Sequence, residues 1–196
     1  MNLGAGFGMH AIPLAQNGYN VLAIDFCAGL LDELRQAAGT LPIECVKDDL
    51  LNFKQYCMKC TPELILCMGD TLTHLDSKKS VERLIGEIAE TLCAGGRFIT
   101  SFRDYSVPLQ NESRFIPVRS DENRILTCFL EYSDAEVTVS DLLYERRDGA
   151  WNFRISAYNK QRLSPEWIKA LMEAQGFTVQ SGPGLAGMVR LEGCKV

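Results

Sequence analysis

The sequence contains no apolar run near the roughly 20 residues that a helical membrane span requires. Its apolar start is broken by glycines and has no basic leader, so neither a membrane anchor nor a signal peptide is expected. Positive charge is in short supply: 20 Lys and Arg stand against 25 Asp and Glu, for a net charge of −5. That balance weighs against nucleic acid as the main partner, because a backbone-binding protein needs a basic surface to displace counterions. Cys57 and Cys60 form one C-x-x-C, but no second pair lies at zinc spacing, so no metal is expected. Internal repeats and low-complexity segments are also missing.

What is present is ordinary globular material, with 46% hydrophobic and 23% charged residues. The 196 residues are enough for one domain with a sizeable core, taken here as residues 1–196. Most of the eight cysteines sit inside apolar segments such as ELILCMG and RILTCFL, where they behave as small hydrophobes. The pattern fits a reducing cytoplasm better than a secreted disulfide framework.

The first two-thirds of the chain alternates strand and helix. Asn20–Phe26 is a short apolar run ending in an acid, and Ala28–Ala38 carries Leu30, Leu31 and Leu34 at helical spacing before Gly39. Ile43–Lys47 is a strand candidate, and Pro62–Met68 reads as a strand buried on both faces. Val81–Leu92 is a helix by its apolar face, followed after Gly95-Gly96 by a strand at Arg97–Phe102. Such alternation implies right-handed βαβ units on a mostly parallel sheet with helices on both faces. The period then changes. From about Ser113 to Tyr158 short β-rich runs alternate with turn signals, which predicts an antiparallel insert of three or four strands within residues 107–160. Ser164-Pro165-Glu166 starts a last helix that ends at Gly176, and two more strands follow, at Phe177–Gln180 and Met188–Leu191.

Leu3-Gly4-Ala5-Gly6-Phe7-Gly8 lies between a strand stub and a helix predicted over Met9–Gln16. Glycines there let a backbone approach a ligand closely. A dinucleotide fingerprint, G-x-G-x-x-G, would place its third glycine at position 9, which is Met9. The observed Gly4-x-Gly6-x-Gly8 resembles motif I of the class I S-adenosylmethionine-dependent methyltransferases, small-molecule type. The resemblance covers residues 1 to about 105 and resumes from 162, and it implies a Rossmann-like α/β fold with S-adenosylmethionine as cofactor. It places Gly4, Ala5, Gly6 and Gly8 at the amino acid end of the cofactor and Asp25 on the ribose hydroxyls, with Phe26 packed on the adenine. Asp49 and the Leu50 amide would meet the base, with Asp48 a rival. Met68 and Gly69 would lie beside the methionine part. The loop Gly69-Asp70-Thr71-Leu72-Thr73-His74-Leu75 is similar to loops of the glycine N-methyltransferase type. On that similarity Asp70 and Thr71 face a small-molecule acceptor. Arg103, Asp104 and Tyr105 close the strand at Arg97–Phe102, where ligands collect in parallel sheets, and are further acceptor-site candidates. His74 and Tyr105 are the catalytic candidates, His74 as a base for the acceptor proton.

The family usually carries an acid two residues before the first glycine, where this chain has Asn2, and helices before the first strand, where this chain has only Met1 to Leu3. The expectation is a pocket without the family's lid. Structural readings stand beside these: Asp49 as a helix cap, Asp70 and Thr71 as turn caps, His74 as a buried packing residue. The insert would form a wall of the acceptor site or a subunit contact, and a homodimer is compatible with the sequence. Two other functions remain open, a non-catalytic Rossmann-like binding domain and an NAD(P)-dependent oxidoreductase.

Overall fold

The computed structural model describes residues 1–59 and 61–196, with the side chains of 58 and 59 left aside. Cys60, and with it the C-x-x-C reading, lies outside the described residues. The chain divides into two compact units, one made of Met1–Arg103 with Pro165–Val196 and the other of Asp104–Ser164.

The first unit is built on a seven-stranded sheet. Its strands are β1 (Asn2–Leu3), β2 (Val21–Asp25), β3 (Ile43–Lys47), β4 (Leu64–Cys67), β5 (Arg97–Phe102), β10 (Phe177–Pro183) and β11 (Val189–Lys195). Their spatial order is β10-β11-β5-β4-β1-β2-β3. The pairings β1–β2, β1–β4, β2–β3 and β4–β5 are parallel, and β11 runs antiparallel to both of its neighbours. The chain winds outward from β1 to β3 and then crosses to β4 on the other side of β1. That reversal opens a crevice at the carboxyl ends of the two strands.

Residue pattern accounts for these elements. Helix α2 (Ala28–Ala38) buries Leu31 and Leu34 against Ala23 and Val21 of β2. Helix α3 (Lys78–Thr91) buries Val81, Leu84, Ile85 and Ile88 along one stripe. It begins three residues before the expected Val81, because Ser77 caps it by accepting from the Ser80 amide at 3.2 Å. Helix α4 (Pro165–Ala174) follows the Ser-Pro signal. Helix α1 is shorter than expected, Ala11–Gln16 rather than Met9–Gln16. The segment Leu50–Lys59, whose residues give only a weak pattern, is a 3-10 helix. Among the described residues no helix is long and apolar enough to cross a membrane.

Cys67 on β4 is fully buried, and burial alone pushes its thiol up to about 12. Its thiolate population near neutral pH is therefore about a thousandfold below that of a thiol at the ordinary value. In the native protein Cys67 should resist iodoacetamide while the exposed Cys194 is labelled, a difference that peptide mass spectrometry reads directly.

The second unit is an antiparallel meander of four strands, the upper count expected: β6 (Phe115–Ser120), β7 (Arg124–Tyr132), β8 (Glu136–Arg147) and β9 (Ala150–Gln161). Tyr105, Leu130, Val137 and Val139 form its small core. Arg162 ties the segment entering the unit to its hairpins, donating to the carbonyls of Tyr105, Ser106 and Ser133. On the same side of the sheet as that core, Glu145 is surrounded by Arg154, Arg124 and Arg147. Partial desolvation raises its carboxyl, but the three guanidinium groups outweigh that and hold it below the usual glutamate range.

Candidate active site

A cavity of about 390 Å³ lies at the carboxyl ends of β1, β2, β3 and β4, lined by Gly4, Asp25, Phe26, Asp49–Leu51, Thr71 and His74–Asp76. The lining residues stand at the ends of four strands or in the loops that follow them. The sheet thus gathers in space four segments that are far apart in sequence.

Asp25 closes β2 with its side chain buried. Its Oδ2 accepts from the Gly6 amide at 2.8 Å and its Oδ1 from the Cys27 amide at 2.9 Å. Each oxygen keeps acceptor capacity, since a carboxylate offers about four lone-pair sites for two hydrogen bonds used. The three glycines of the loop do three different things. A side chain at Gly4 would put its Cβ 2.4 Å from Thr71 Cγ2, so Gly4 lets the loop after β4 close onto the loop after β1. At Gly6 a Cβ would meet nothing within 4 Å; the position is open and demands glycine only through its φ of +54°. At Gly8 a Cβ would meet Leu34 Cδ1 at 2.2 Å, so Gly8 serves the packing of the loop on α2.

Asp48 and Asp49, adjacent in sequence, are separated by function. Asp48 accepts from Tyr56 Oη at 2.6 Å, Asn52 Nδ2 at 2.9 Å and Gln55 Nε2 at 2.7 Å, and these bonds hold its carboxyl below the usual aspartate range. It is spent on fixing the 3-10 segment. Asp49 lines the cavity and also accepts from the Leu51 amide at 2.9 Å. Asp49 therefore caps the segment with one oxygen while also lining the cavity.

The loop after β4 is braced from within. Asp70 is buried, adopts a left-handed φ of +74°, and accepts from the Arg103 amide at 2.9 Å. Its own amide donates to the Ser101 carbonyl at 2.9 Å. Thr71 Oγ1 donates to the Met68 carbonyl at 2.7 Å. Asp70 thus ties the tip of β4 to the end of β5, and its neighbour Thr71 is the one that lines the cavity.

Several residues singled out in the sequence stand elsewhere. Met68 lines a different, open concavity with Leu64, Leu66 and Ile99. The Arg103 guanidinium donates to the Ala186 carbonyl at 2.9 Å. Ala5 is buried in the core beside α1. Gly69 adjoins the braced loop, its amide donating to Ser101 Oγ at 3.1 Å. Tyr105 is buried in the core of the second unit, with Lys160 above its ring at 5.8 Å. In the other direction, Leu51, Leu75 and Asp76 line the cavity and were not singled out. Leu75 closes the loop quoted from the sequence and Asp76 continues it, which was the available signal. Asn2 is 1% exposed and both polar atoms of its amide lack a partner.

Comparison with known proteins fits this geometry. Residues 1–96 match the family model described as a methyltransferase domain. Over that stretch, just under half of its length, the chain is similar to a methyltransferase domain. A comparison of its sequence with curated proteins gives no match. Solved structures share the fold over the whole chain. An S-adenosylmethionine-dependent methyltransferase from Clostridium acetobutylicum is 15% identical with a TM-score of 0.79, covering 99% of this chain and 82% of its own. An amino pentose methyltransferase from Micromonospora echinaspora, solved with S-adenosylmethionine, is 14% identical with a TM-score of 0.82, covering 100% and 82%. The glycopeptide N-methyltransferase MtfA, solved with S-adenosylhomocysteine, is 18% identical with a TM-score of 0.67, covering 100% and 80%. The seven-stranded sheet with one reversed strand and the antiparallel insert agree with the architecture the sequence predicts.

Proposed function

We propose that the chain binds S-adenosylmethionine in the cavity at the ends of β1–β4 and transfers its methyl group to a small-molecule acceptor. One observation carries the choice of cofactor: among the described residues the cavity is lined by Asp25, Asp49 and Asp76 and by no Lys or Arg. A negative lining favours a sulfonium and disfavours the pyrophosphate of a nicotinamide dinucleotide, as opposite and like charges in a partly enclosed site must. The fit extends to shape. Gly6 leaves open space beside the loop, and Asp25 has acceptor capacity left for a ribose diol.

The cofactor supplies a methyl group already activated by its sulfonium. The residues of this chain bind, align and exclude water. Asp25 accepts the ribose hydroxyls. Asp49 and the Leu50 amide meet the adenine, against which Phe26 folds. Asn2, two residues before Gly4, offers its unpartnered amide to the amino acid end. Thr71 and His74 face the acceptor, and His74 takes the proton that the acceptor loses. Asp70 and Arg103 position that loop through their mutual bond. Tyr105 is given a packing role in the insert. Neighbours of this fold act on an amino pentose and on a glycopeptide, which makes amine-bearing sugars and peptides the first acceptors to try.

Calorimetric titration of the purified protein with S-adenosylmethionine and, separately, with NADH tests the reading. Heat of one-to-one binding with the first and none with the second is expected. Incubation with amino sugars should then yield S-adenosylhomocysteine. Binding of NADH alone would replace the proposal by an oxidoreductase, and cofactor binding without turnover on any acceptor would favour the non-catalytic domain.

A further inference from the structure

Glu145 gathers more positive charge than one carboxylate can answer. The register puts Arg124 of β7 directly across from it and Arg147 two residues further along β8. Arg154 of β9 reaches it from a diagonal position, opposite Leu143. All three guanidinium groups donate to its oxygens, Arg124 at 2.8 Å and Arg147 at 3.2 Å. The Glu145 side chain is only 12% exposed, while the arginines stay 46%, 63% and 64% exposed. A guanidinium carries five N–H donors, and each of these uses a single nitrogen on Glu145. Among the described residues their other nitrogens have no acceptor. Three cations around one anion repel one another. They leave a local positive excess on a chain whose net charge is −5.

The surroundings keep that excess. An open concavity of about 620 Å³ lies here, lined by Arg119, Arg124, Glu145, Arg146, Arg147 and the hairpin turn of residues 121–123. Asp121 in that turn is already answered by Arg119 at 2.6 Å. Glu122 brings one more negative charge, and Arg146 offsets it. We propose that this concavity is an anion site that takes a phosphate group. A phosphate dianion supplies what the cluster lacks, two negative charges and several acceptor oxygens for guanidinium forks that Glu145 leaves largely unused. A second carboxylate would bring half the charge. The volume falls in the range of small-ligand sites and exceeds a bare phosphate ion, so it also has room for a small molecule that carries the group. Every residue involved belongs to the insert unit, and the inference is independent of the cofactor reading.

Calorimetric titration of the full chain at fixed ionic strength tests it, with sodium phosphate, glucose 1-phosphate and sodium acetate as titrants. Phosphate should bind one-to-one with a dissociation constant of ~1 mM or below, and acetate at least ~10-fold more weakly. Arg147→Gln, at an exposed position, should weaken phosphate binding ~10-fold, the value of one hydrogen bond to a charged group. Glu145→Gln removes the competing carboxylate and should tighten phosphate binding, a gain that a destabilised protein cannot mimic. Both variants should keep the wild-type far-ultraviolet circular dichroism spectrum. Glucose 1-phosphate binding more tightly than phosphate identifies a phosphorylated small molecule as the ligand, and binding equal or weaker identifies the free ion. Absence of heat with both phosphate titrants overturns the proposal. So does acetate binding as tight as phosphate, or phosphate binding indifferent to Arg147→Gln.

Discussion

Gly4→Ala is expected to lower the stability of the fold by about 3 kcal/mol and to abolish binding of S-adenosylmethionine. Two costs combine. The residue sits at φ +67°, in the left-handed region, where a side chain costs roughly 1–2 kcal/mol. The new Cβ would also lie 2.4 Å from Thr71 Cγ2 and 2.7 Å from Thr71 Oγ1. Thr71 cannot swing away cheaply, because its hydroxyl is bonded to the Met68 carbonyl and its branched side chain is stiff. Two further variants separate the costs. Gly6→Ala meets only the conformational cost, roughly 1 kcal/mol, since no atom lies within 4 Å of its Cβ. Gly4→Ala combined with Thr71→Ala removes the two shortest contacts, leaving Thr71 Cβ at 3.1 Å, and should recover most of the difference. Urea melts read the stabilities and calorimetry the affinities. A Gly4→Ala protein as stable as the wild type would mean that the loops after β1 and β4 are free to separate.

Asp25→Ala should weaken S-adenosylmethionine binding at least ~100-fold, about the value of two hydrogen bonds from hydroxyls to a charged acceptor. It should also cost roughly 1–3 kcal/mol of stability, because the amides of Gly6 and Cys27 lose their acceptors. Asp25→Asn keeps a single acceptor oxygen, so it should fall between, near ~10-fold in affinity. The order wild type, Asn, Ala in calorimetric affinity is the signature to look for. Equal affinity in all three would place the ribose elsewhere and remove the central element of the proposed site.

The strand and helix order of the first unit was legible because its signals are local. Ala28–Ala38, Ile43–Lys47 and Arg97–Phe102 form with the bounds read from periodicity alone. The insert was legible for the same reason, its turns being marked by Asp148-Gly149 and similar pairs. The 3-10 segment Leu50–Lys59 was not, since it is held by Asp48 through partners four, seven and eight residues away rather than by an apolar stripe. At the site, spacing could bring Gly4, Asp25, Asp49, Thr71 and His74 to one cavity, because the topology of a parallel sheet dictates where strand ends meet. Spacing could not say which way a residue faces. Gly8 answers to Leu34, Met68 to a concavity it shares with Ile99, and Tyr105 to the insert core, contacts that lie tens of residues away in sequence.

The clasp of Asp25 by two backbone amides bears on the entropy of ligand capture. A carboxylate already fixed at both oxygens has no rotamer freedom to surrender when a diol arrives, a saving of roughly 0.5–1.5 kcal/mol over a loose side chain. Phe26, the next residue, is 80% exposed and has that freedom intact. On the proposed cofactor reading, the ordering penalty of closing the site would therefore fall on the aromatic ring and not on the acid, so that recognition of the sugar is rigid from the outset while the grip on the base is assembled only on contact.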